Sequence, residues 1–231
     1  MGENNIYTRT TLLVGENNIE KIKKANVLIC GIGGVGSYTL EAIVRAGVLN
    51  ITIIDKDIVD ITNINRQIIA LNSTIGMNKV DVAKKRVQDI NKNVKIKAIK
   101  ENITKENIEN LIDTSYDYVV DCVDNVEAKI AIILTCNKKK IKCISCMGTG
   151  NKLDPTKLKV ADIYKTNTCP LAKIIRKNLK KYNIKKQKVV FSEEVPTKNE
   201  SKNIGSISFV PSVAGLILAS QVINDIIENV D

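Results

Sequence analysis

Apolar residues in this chain follow two spacings that alternate along its length. Compact runs such as Asn26–Cys30 (NVLIC), Ile51–Ile54 and Tyr118–Val123 (YVVDCV) have the length and β-branched content of strands buried on both faces. Between them the apolar positions recur every three or four residues. In Lys79–Ile90, for example, Val80, Ala83, Val87 and Ile90 share one helical face. The same reading predicts helices over roughly Val35–Ala46 and Val126–Cys136, a half-buried strand at Val94–Ile99 and another strand at Lys142–Cys146. It also predicts a helix at Lys105–Ile112, with Thr104 as its N-cap. Beyond Gly150, Lys157–Tyr164, Gln187–Phe191 and Ser206–Phe209 read as further strands, and Ser192–Asn203 (SEEVPTKNESKN) as a flexible loop. Strands separated by helices of this length predict an α/β chain with a doubly wound, mainly parallel sheet and additional C-terminal strands and helices. No repeat or long linker divides it, so residues 1–231 are expected to form one domain, with 1–150 its core and 151–231 an elaboration of it.

The longest apolar stretch, Ile207–Ile227, contains Pro211 and is broken by Ser208, Ser212, Ser220, Gln221, Asn224 and Asp225. It is too polar for a membrane span and predicts a buried helix. Residues 1–20 are polar and carry no apolar segment of the signal-peptide kind, so a soluble, cytoplasmic protein is expected.

Histidine is absent, which excludes Ser-His-Asp and Cys-His nucleophile pairs and every histidine-ligated metal site. Of the six cysteines, Cys30 and Cys122 fall inside apolar strands and read as packing residues. Cys143 and Cys146 form one CxxC without a second pair, so no zinc site is expected. The groups left for catalysis suit charge stabilisation and positioning.

Lysine and arginine (35) exceed aspartate and glutamate (25), giving a net charge of +10. The distribution says more than the total. Residues 173–188 (KIIRKNLKKYNIKKQK) hold Lys173, Arg176, Lys177, Lys180, Lys181, Lys185, Lys186 and Lys188, and no acidic residue. Leu171, Ile174, Ile175, Leu179 and Tyr182 fall at helical spacing among them, predicting an apolar stripe beneath a basic face. Such a face is either simply solvated or a polyanion-binding surface, to which Lys138, Lys139, Lys140 and Lys142 could contribute.

The chemistry concentrates near the first two strands. Gly31, Gly33 and Gly36, with Gly34 between them, form a GxGxxG turn after a strand and before a helix. Glycines allow close backbone approach, and the helix N-terminus supplies N–H donors to a phosphate; the predicted sheet is therefore Rossmann-like, with residues 1–150 its nucleotide-binding core. Asp55 ends the next strand, where a carboxylate can accept from ribose hydroxyls. This much fits a nicotinamide cofactor equally well. The residues beyond Asp55 do not. Asn63, Asn65, Arg66 and Gln67 form a dense polar cluster past the strand end, Lys79 opens the next helix, and Asp124-Asn125 closes the following strand. Two cations, a carboxylate and several amides at one crevice edge suit attack on an α-phosphate with ATP and Mg²⁺.

GIGGVG, the Asp55-x-Asp57 pair, TNINRQ, Lys79 and DCVDN resemble the adenylation site of the ubiquitin-activating-type (HesA/MoeB/ThiF) superfamily. There the equivalents of Asp55, Asn63, Arg66, Gln67, Lys79 and Asp124 contact ATP and metal, and Asp124 would be the residue nearest a Mg²⁺ ion. An N-terminal arginine reaches the phosphates across a dimer interface in that superfamily, and Arg9 is similar to it in context. The resemblance continues through MGTGNKLDPTKLKVADIYKT-x-x-CPLAK (147–173) and IGSISFVPSVAGLILA (204–219), which look like its tRNA threonylcarbamoyladenosine dehydratase branch. It implies a homodimer in which residues 151–231 serve the substrate and dimer side. It implies ATP-dependent adenylation of threonylcarbamoyladenosine beside the tRNA anticodon, then cyclisation. It also admits a bound monovalent cation and a cysteine-desulfurase or sulfur-acceptor partner. Ubiquitin-activating relatives use a cysteine in the region corresponding to Ser192–Asn203, which has none here, and some dehydratase relatives carry one near Val189-Val190-Phe191-Ser192, so no thioester or persulfide step is expected there. The alternatives are an adenylyltransferase for a small sulfur-carrier protein, a nicotinamide oxidoreductase, and a non-catalytic tRNA- or partner-binding module.

Overall fold

The strand β1 (Asn26–Cys30) points Val27 and Ile29 into one hydrophobic layer and Leu28 and Cys30 into another, all fully buried. A strand with no polar side belongs where both faces are covered. In this computed structural model, which describes residues 5–198 and 203–228, β1 pairs with β2 (Asn50–Ile54) and β4 (Tyr118–Asp121). β3 (Lys95–Ile99), β5 (Lys142–Cys146), β6 (Leu158–Asp162) and β7 (Lys188–Ser192) complete a seven-stranded sheet of order β3-β2-β1-β4-β5-β7-β6. Neighbours are parallel except β6, which runs antiparallel to β7. The edge strands expose Lys95 and Lys97 on β3 and Lys159 on β6, charges that discourage edge-to-edge pairing.

One face is covered by α2 (Glu16–Lys24), α3 (Gly36–Ala46), α4 (Lys79–Ile90) and α8 (Phe209–Ile227). The other is covered by α5 (Ile108–Leu111) and α6 (Val126–Lys139), with α7 (Pro170–Lys181) beside α6. α8 has the length and apolar content to cross a membrane, yet it buries Val210, Ala214, Leu218, Val222 and Ile226 in the core. It lies close against α3, where a side chain at Gly215 would collide with the Val35 carbonyl and Thr39 Oγ1 donates to the Gly215 carbonyl at 3.1 Å.

Several boundaries differ from expectation, each through a side-chain hydrogen bond. The helix predicted at Lys105–Ile112 shrinks to α5. The Thr104 N–H donates to Asn107 Oδ1 (2.8 Å) and the Glu106 N–H to Thr104 Oγ1 (3.3 Å), and these side-chain bonds hold a turn where helix was expected. Ser206–Phe209 forms no strand: Asn65 Nδ2 holds the Ser206 carbonyl at 3.0 Å, and Phe209 already begins α8. β4 stops at Asp121, whose Oδ1 accepts from the Val123 N–H at 3.2 Å. β6 ends at Asp162, which caps a 3₁₀ turn at Ile163–Lys165. The first part of the 192–203 loop is tied down, because Glu194 accepts from the N–H groups of Leu153 (2.8 Å) and Asp154 (2.9 Å). Residues 199–202 of that loop, and residues 1–4 of the polar N-terminus, lie outside the described residues.

Candidate nucleotide-binding site

The strand order reverses between β1 and β4, and open α/β sheets bind ligands at such a switch point, beyond the carboxyl ends of the strands. Register brings the motif residues there together. Cys30 lies opposite Ile54 and Asp121, so Gly31, Asp55 and Cys122 leave the sheet at one level. Gly31 has φ +87°, and a Cβ on it would sit 3.1 Å from the Cys122 carbonyl; a Cβ on Gly36 would overlap the Gly31 carbonyl oxygen. Only glycine fits this turn at either position. Gly33 and Gly34 then face an open cavity of about 860 Å³.

Asp55 has two internal partners. Its Oδ2 accepts from the Ile32 N–H at 2.6 Å and its Oδ1 from the Asp57 N–H at 2.8 Å, so it fixes the glycine turn to the end of β2. Each oxygen keeps a second lone pair for a ligand hydroxyl.

The chain from Asp57 to Lys79 forms the next wall. Asp60 caps a 3₁₀ turn at Ile61–Asn63, accepting from the Thr62 N–H (2.8 Å), while Asn63 Oδ1 accepts from the Asp60 N–H (3.1 Å). The Asn63 carbonyl in turn receives the N–H groups of Arg66 (3.0 Å) and Gln67 (2.9 Å), which aims both side chains at the cavity. Arg66 Nη1 donates to the Thr62 carbonyl and to Asn65 Oδ1, both at 2.9 Å. Gln67 is buried, and its Oε1 has no hydrogen-bond partner among the described residues. Lys79, the first residue of α4, is buried with Nζ 3.0 Å from Asp57 Oδ2, a carboxylate half open to solvent. Asp124 stands exposed on the cavity wall, and Asn125 beside it caps α6 by accepting the Ala128 N–H at 2.9 Å.

Gly31, Gly33, Gly34, Asp55, Asp57, Asn63, Arg66, Gln67, Lys79, Asp124 and Asn125 all line this one cavity. Gly36 and Asn65 do not line it: Gly36 permits the turn, and Asn65 braces Arg66 against the Ser206 carbonyl. Sequence reasoning missed the segment from Glu101 to Glu106, which continues the wall beyond Asp55, and Thr149, Ser206 and Pro211 on the opposite side. The former has no motif; its one signal is that it follows the strand next to β2 at the carboxyl edge.

Below the cavity Asp121 and Lys129 form an ion pair of 2.7 Å with both side chains fully buried, and Lys129 Nζ also donates to the Cys146 carbonyl at 2.9 Å. Burial pushes the Asp121 carboxyl above its ordinary value, and the Lys129 ammonium pulls it back. Burial likewise raises the thiols of Cys30 and Cys122, and Cys146 is pushed up to about 12. Cys143 is raised by its hydrogen bond with Cys136 and by burial. Protonated thiols are poor nucleophiles, so none of these four is prepared for covalent catalysis.

Arg9 stands apart from the rest. It lies exposed on α1 (Thr8–Val14), and Tyr7 just before this helix accepts from Asn91 Nδ2 at 2.7 Å and packs against Gly47. Asn91 and Gly47 precede β3 and β2, so α1 sits at the amino-end edge of the sheet, opposite the cavity. Arg9 does not line the cavity of its own chain.

The basic run spans α7, a loop and β7. Lys173, Lys177, Lys180 and Lys181 are exposed on α7, and Lys185 and Lys186 in the loop. Arg176 and Lys188 are engaged inside the fold: Arg176 Nη1 donates to the Thr166 carbonyl (2.8 Å) and hydroxyl (2.7 Å), and Lys188 pairs with Asp225 at 2.7 Å. The buried stripe of α7 is Ala172, Ile175 and Leu179; Ile174 and Tyr182, expected beneath the basic face, point outward. Lys138 pairs with Glu109, Lys139 donates to the carbonyls of Glu109 and Ile112, and Lys142 Nζ lies 3.1 Å from the Asp225 carbonyl.

Residues 7–229 match the ThiF family. A tRNA threonylcarbamoyladenosine dehydratase of Bacillus subtilis (strain 168) is 42% identical over 243 residues, covering 97% of this chain and 96% of that protein. The crystal structure of E. coli tRNA N6-threonylcarbamoyladenosine dehydratase, TcdA, in complex with AMP superposes with a TM-score of 0.90 at 34% identity, covering 94% of this chain and 92% of that one. The structure of TcdA in complex with ATP gives 0.90 at 33% identity, covering 95% and 93%. Similar in sequence and fold over nearly its whole length, the chain belongs to the ThiF family and, within it, to the tRNA threonylcarbamoyladenosine dehydratases.

Proposed function

We propose that this chain uses ATP to dehydrate threonylcarbamoyladenosine beside the anticodon of tRNA. A carboxylate oxygen of the modification attacks the α-phosphorus, the bond to the β-phosphate oxygen breaks, and pyrophosphate leaves. The carbamoyl group then attacks the acyl carbon, AMP departs, and the ring closes with net loss of water. The observation that carries this reading is the convergence of Arg66, Lys79 and Asp124 on the cavity that the glycine turn opens.

In this reading the backbone of Gly33 and Gly34 and the N-terminus of α3 receive phosphate, and Asp55 accepts from the ribose. Arg66 offers its planar guanidinium to phosphate oxygens, held at the right height by Asn65 and the Thr62 carbonyl. Lys79 shares its charge between Asp57 and the phosphates. Burial of its ammonium keeps solvent from screening that charge as the pentacovalent phosphorus forms. Asn63 and Gln67 complete the polar wall. The donor set suits Mg²⁺ held chiefly by ATP: Asp124 presents one exposed carboxylate, and among the described residues no three His, Cys, Asp or Glu side chains cluster. Such an ion would neutralise phosphate charge.

The exposed lysines Lys173, Lys177, Lys180, Lys181, Lys185 and Lys186 serve as contacts to the tRNA backbone, and a cytoplasmic location goes with that substrate. Arg9 belongs to the cavity of a second copy, across a dimer to which the exposed Leu12 and Leu13 of α1 contribute apolar surface. No step needs a monovalent cation or a cysteine-desulfurase partner. Residues 1–231 act as one unit, since β6 and β7 extend the same sheet that carries the cavity.

The test is mass spectrometry of tRNA nucleosides after incubation with the protein and ATP. Threonylcarbamoyladenosine should lose the mass of one water, with one AMP released per product. ATP–pyrophosphate exchange that responds to a sulfur-carrier protein and not to modified tRNA would overturn the reading.

A further inference from the structure

The nucleotide cavity does not end at the segment from Glu101 to Glu106. It runs on over the outer face of α6, where Ile130, Ala131 and Leu134 form an apolar floor, and reaches Asn178 and Tyr182 at the end of α7. Tyr182 is 54% exposed and Ile174, on the same flank of the helix, 46%. These two residues do not seal the α7 packing. Tyr182 borders the groove.

The charges around this groove are unevenly distributed. On α7, Lys177 and Lys181 lie one turn apart on the exposed ridge next to Asn178, and no carboxylate occurs between Asp162 and Glu193. The opposite wall and floor carry three carboxylates, Glu101, Glu106 and Glu127, against one cation, Lys105. A phosphodiester would be drawn to the α7 ridge and repelled from the far wall. A nucleobase between them would meet an aromatic ring with its π-face and carboxylates with its amino groups.

We propose that this groove takes an unpaired nucleotide of the RNA substrate, its base stacked on Tyr182 and its phosphates on Lys177 and Lys181. The inference rests on the dehydratase reading and adds the place where RNA next to the modified adenosine is held. It also supplies the aromatic surface that a lysine-only interface lacks.

The chain has no tryptophan, so Tyr182→Trp introduces a single indole at the groove. Titration with an anticodon stem-loop oligoribonucleotide should quench its emission, whereas ATP alone should not. In steady state Tyr182→Ala should raise KM for tRNA about tenfold, the lower range expected for loss of one stacked base, and Tyr182→Phe should restore it. ATP binding and the unfolding midpoint should stay as in the unsubstituted protein, because Tyr182 is largely exposed. Emission unmoved by saturating RNA, or an unchanged KM in Tyr182→Ala, overturns the groove while leaving the dehydratase reading intact. Emission that shifts with protein concentration in the absence of RNA makes the groove a contact between copies and also overturns it. If the unsubstituted protein neither binds nor converts modified tRNA, the dehydratase reading fails and the groove fails with it.

Discussion

Asp121 and Lys129 face each other across 2.7 Å at the base of the nucleotide cavity, neither with any exposed side-chain surface. The pair ties three segments together. Asp121 shapes the turn that leads to Asp124, Lys129 belongs to the first turns of α6, and the Cys146 carbonyl that Lys129 also holds ends β5. Lys129→Met should cost about 3–5 kcal/mol of stability, because it strands a buried carboxylate. Adding Asp121→Leu should recover much of that loss. Urea unfolding of the single and double variants checks it; a double variant no more stable than the single would show that the charges themselves are needed.

Arg66 and Asp124 are half-exposed and exposed, so alanine at either position should leave the unfolding midpoint within about 0.5 kcal/mol of the parent. AMP release should fall by roughly a hundredfold or more for Arg66→Ala, as when a donor to a developing charge is removed. Retained turnover in either variant would displace it from the reacting centre.

Arg9 lies at the edge of the sheet opposite its own cavity, which makes a specific genetic test available. Arg9→Ala and Asp124→Ala chains should each be inactive, and a mixture should regain part of the parental rate. No recovery after subunit exchange would remove Arg9 from the site.

The lysines of the α7 region divide by their partners. Neutralising Lys180, Lys181, Lys185 and Lys186 should weaken tRNA binding and flatten its salt dependence by about 0.7–0.9 in log–log slope for each phosphate no longer neutralised. Lys188→Met should instead reduce stability, since it breaks the pair with Asp225. Filter binding across a salt series separates these effects.

Lys152 is almost wholly buried, with Nζ 2.9 Å from the Gly148 carbonyl, and burial lowers its pKa from the usual 10.5. Between the lowered value and 10.5 the unfolded chain binds more protons than the folded one, so this residue makes stability rise with pH across that window. Below the lowered value its contribution is flat. In Lys152→Met the alkaline rise should disappear, as urea midpoints measured from neutral pH to about pH 10 would reveal.

Much of the fold is legible in the order of residues. The strand at Asn26–Cys30 and the helix at Lys79–Ile90 appear where periodicity puts them, and the glycine turn sits at the carboxyl edge as its spacing demands. The failures share a cause. Asn107 and Asn65 redirect the chain through side-chain bonds that no hydrophobic period encodes, and so the expected helix is shorter and the expected strand at Ser206–Phe209 does not form.

Sequence alone determined the alternation of strand and helix, the nucleotide turn and the residue types gathered around it, because those are set by chemistry within a few positions of each residue. Only the tertiary structure decided which charges are free. Arg176 and Lys188 look like their neighbours in the basic run, yet their partners, Thr166 and Asp225, lie ten and 37 residues away and claim them for the fold. It likewise separated Asn65 from the cavity wall, set Arg9 at the far edge, and joined residues 101–106 to α6 and α7 in one groove. A side chain's partner depends on which distant segments the sheet order brings beside it, and that order is a property of the whole chain.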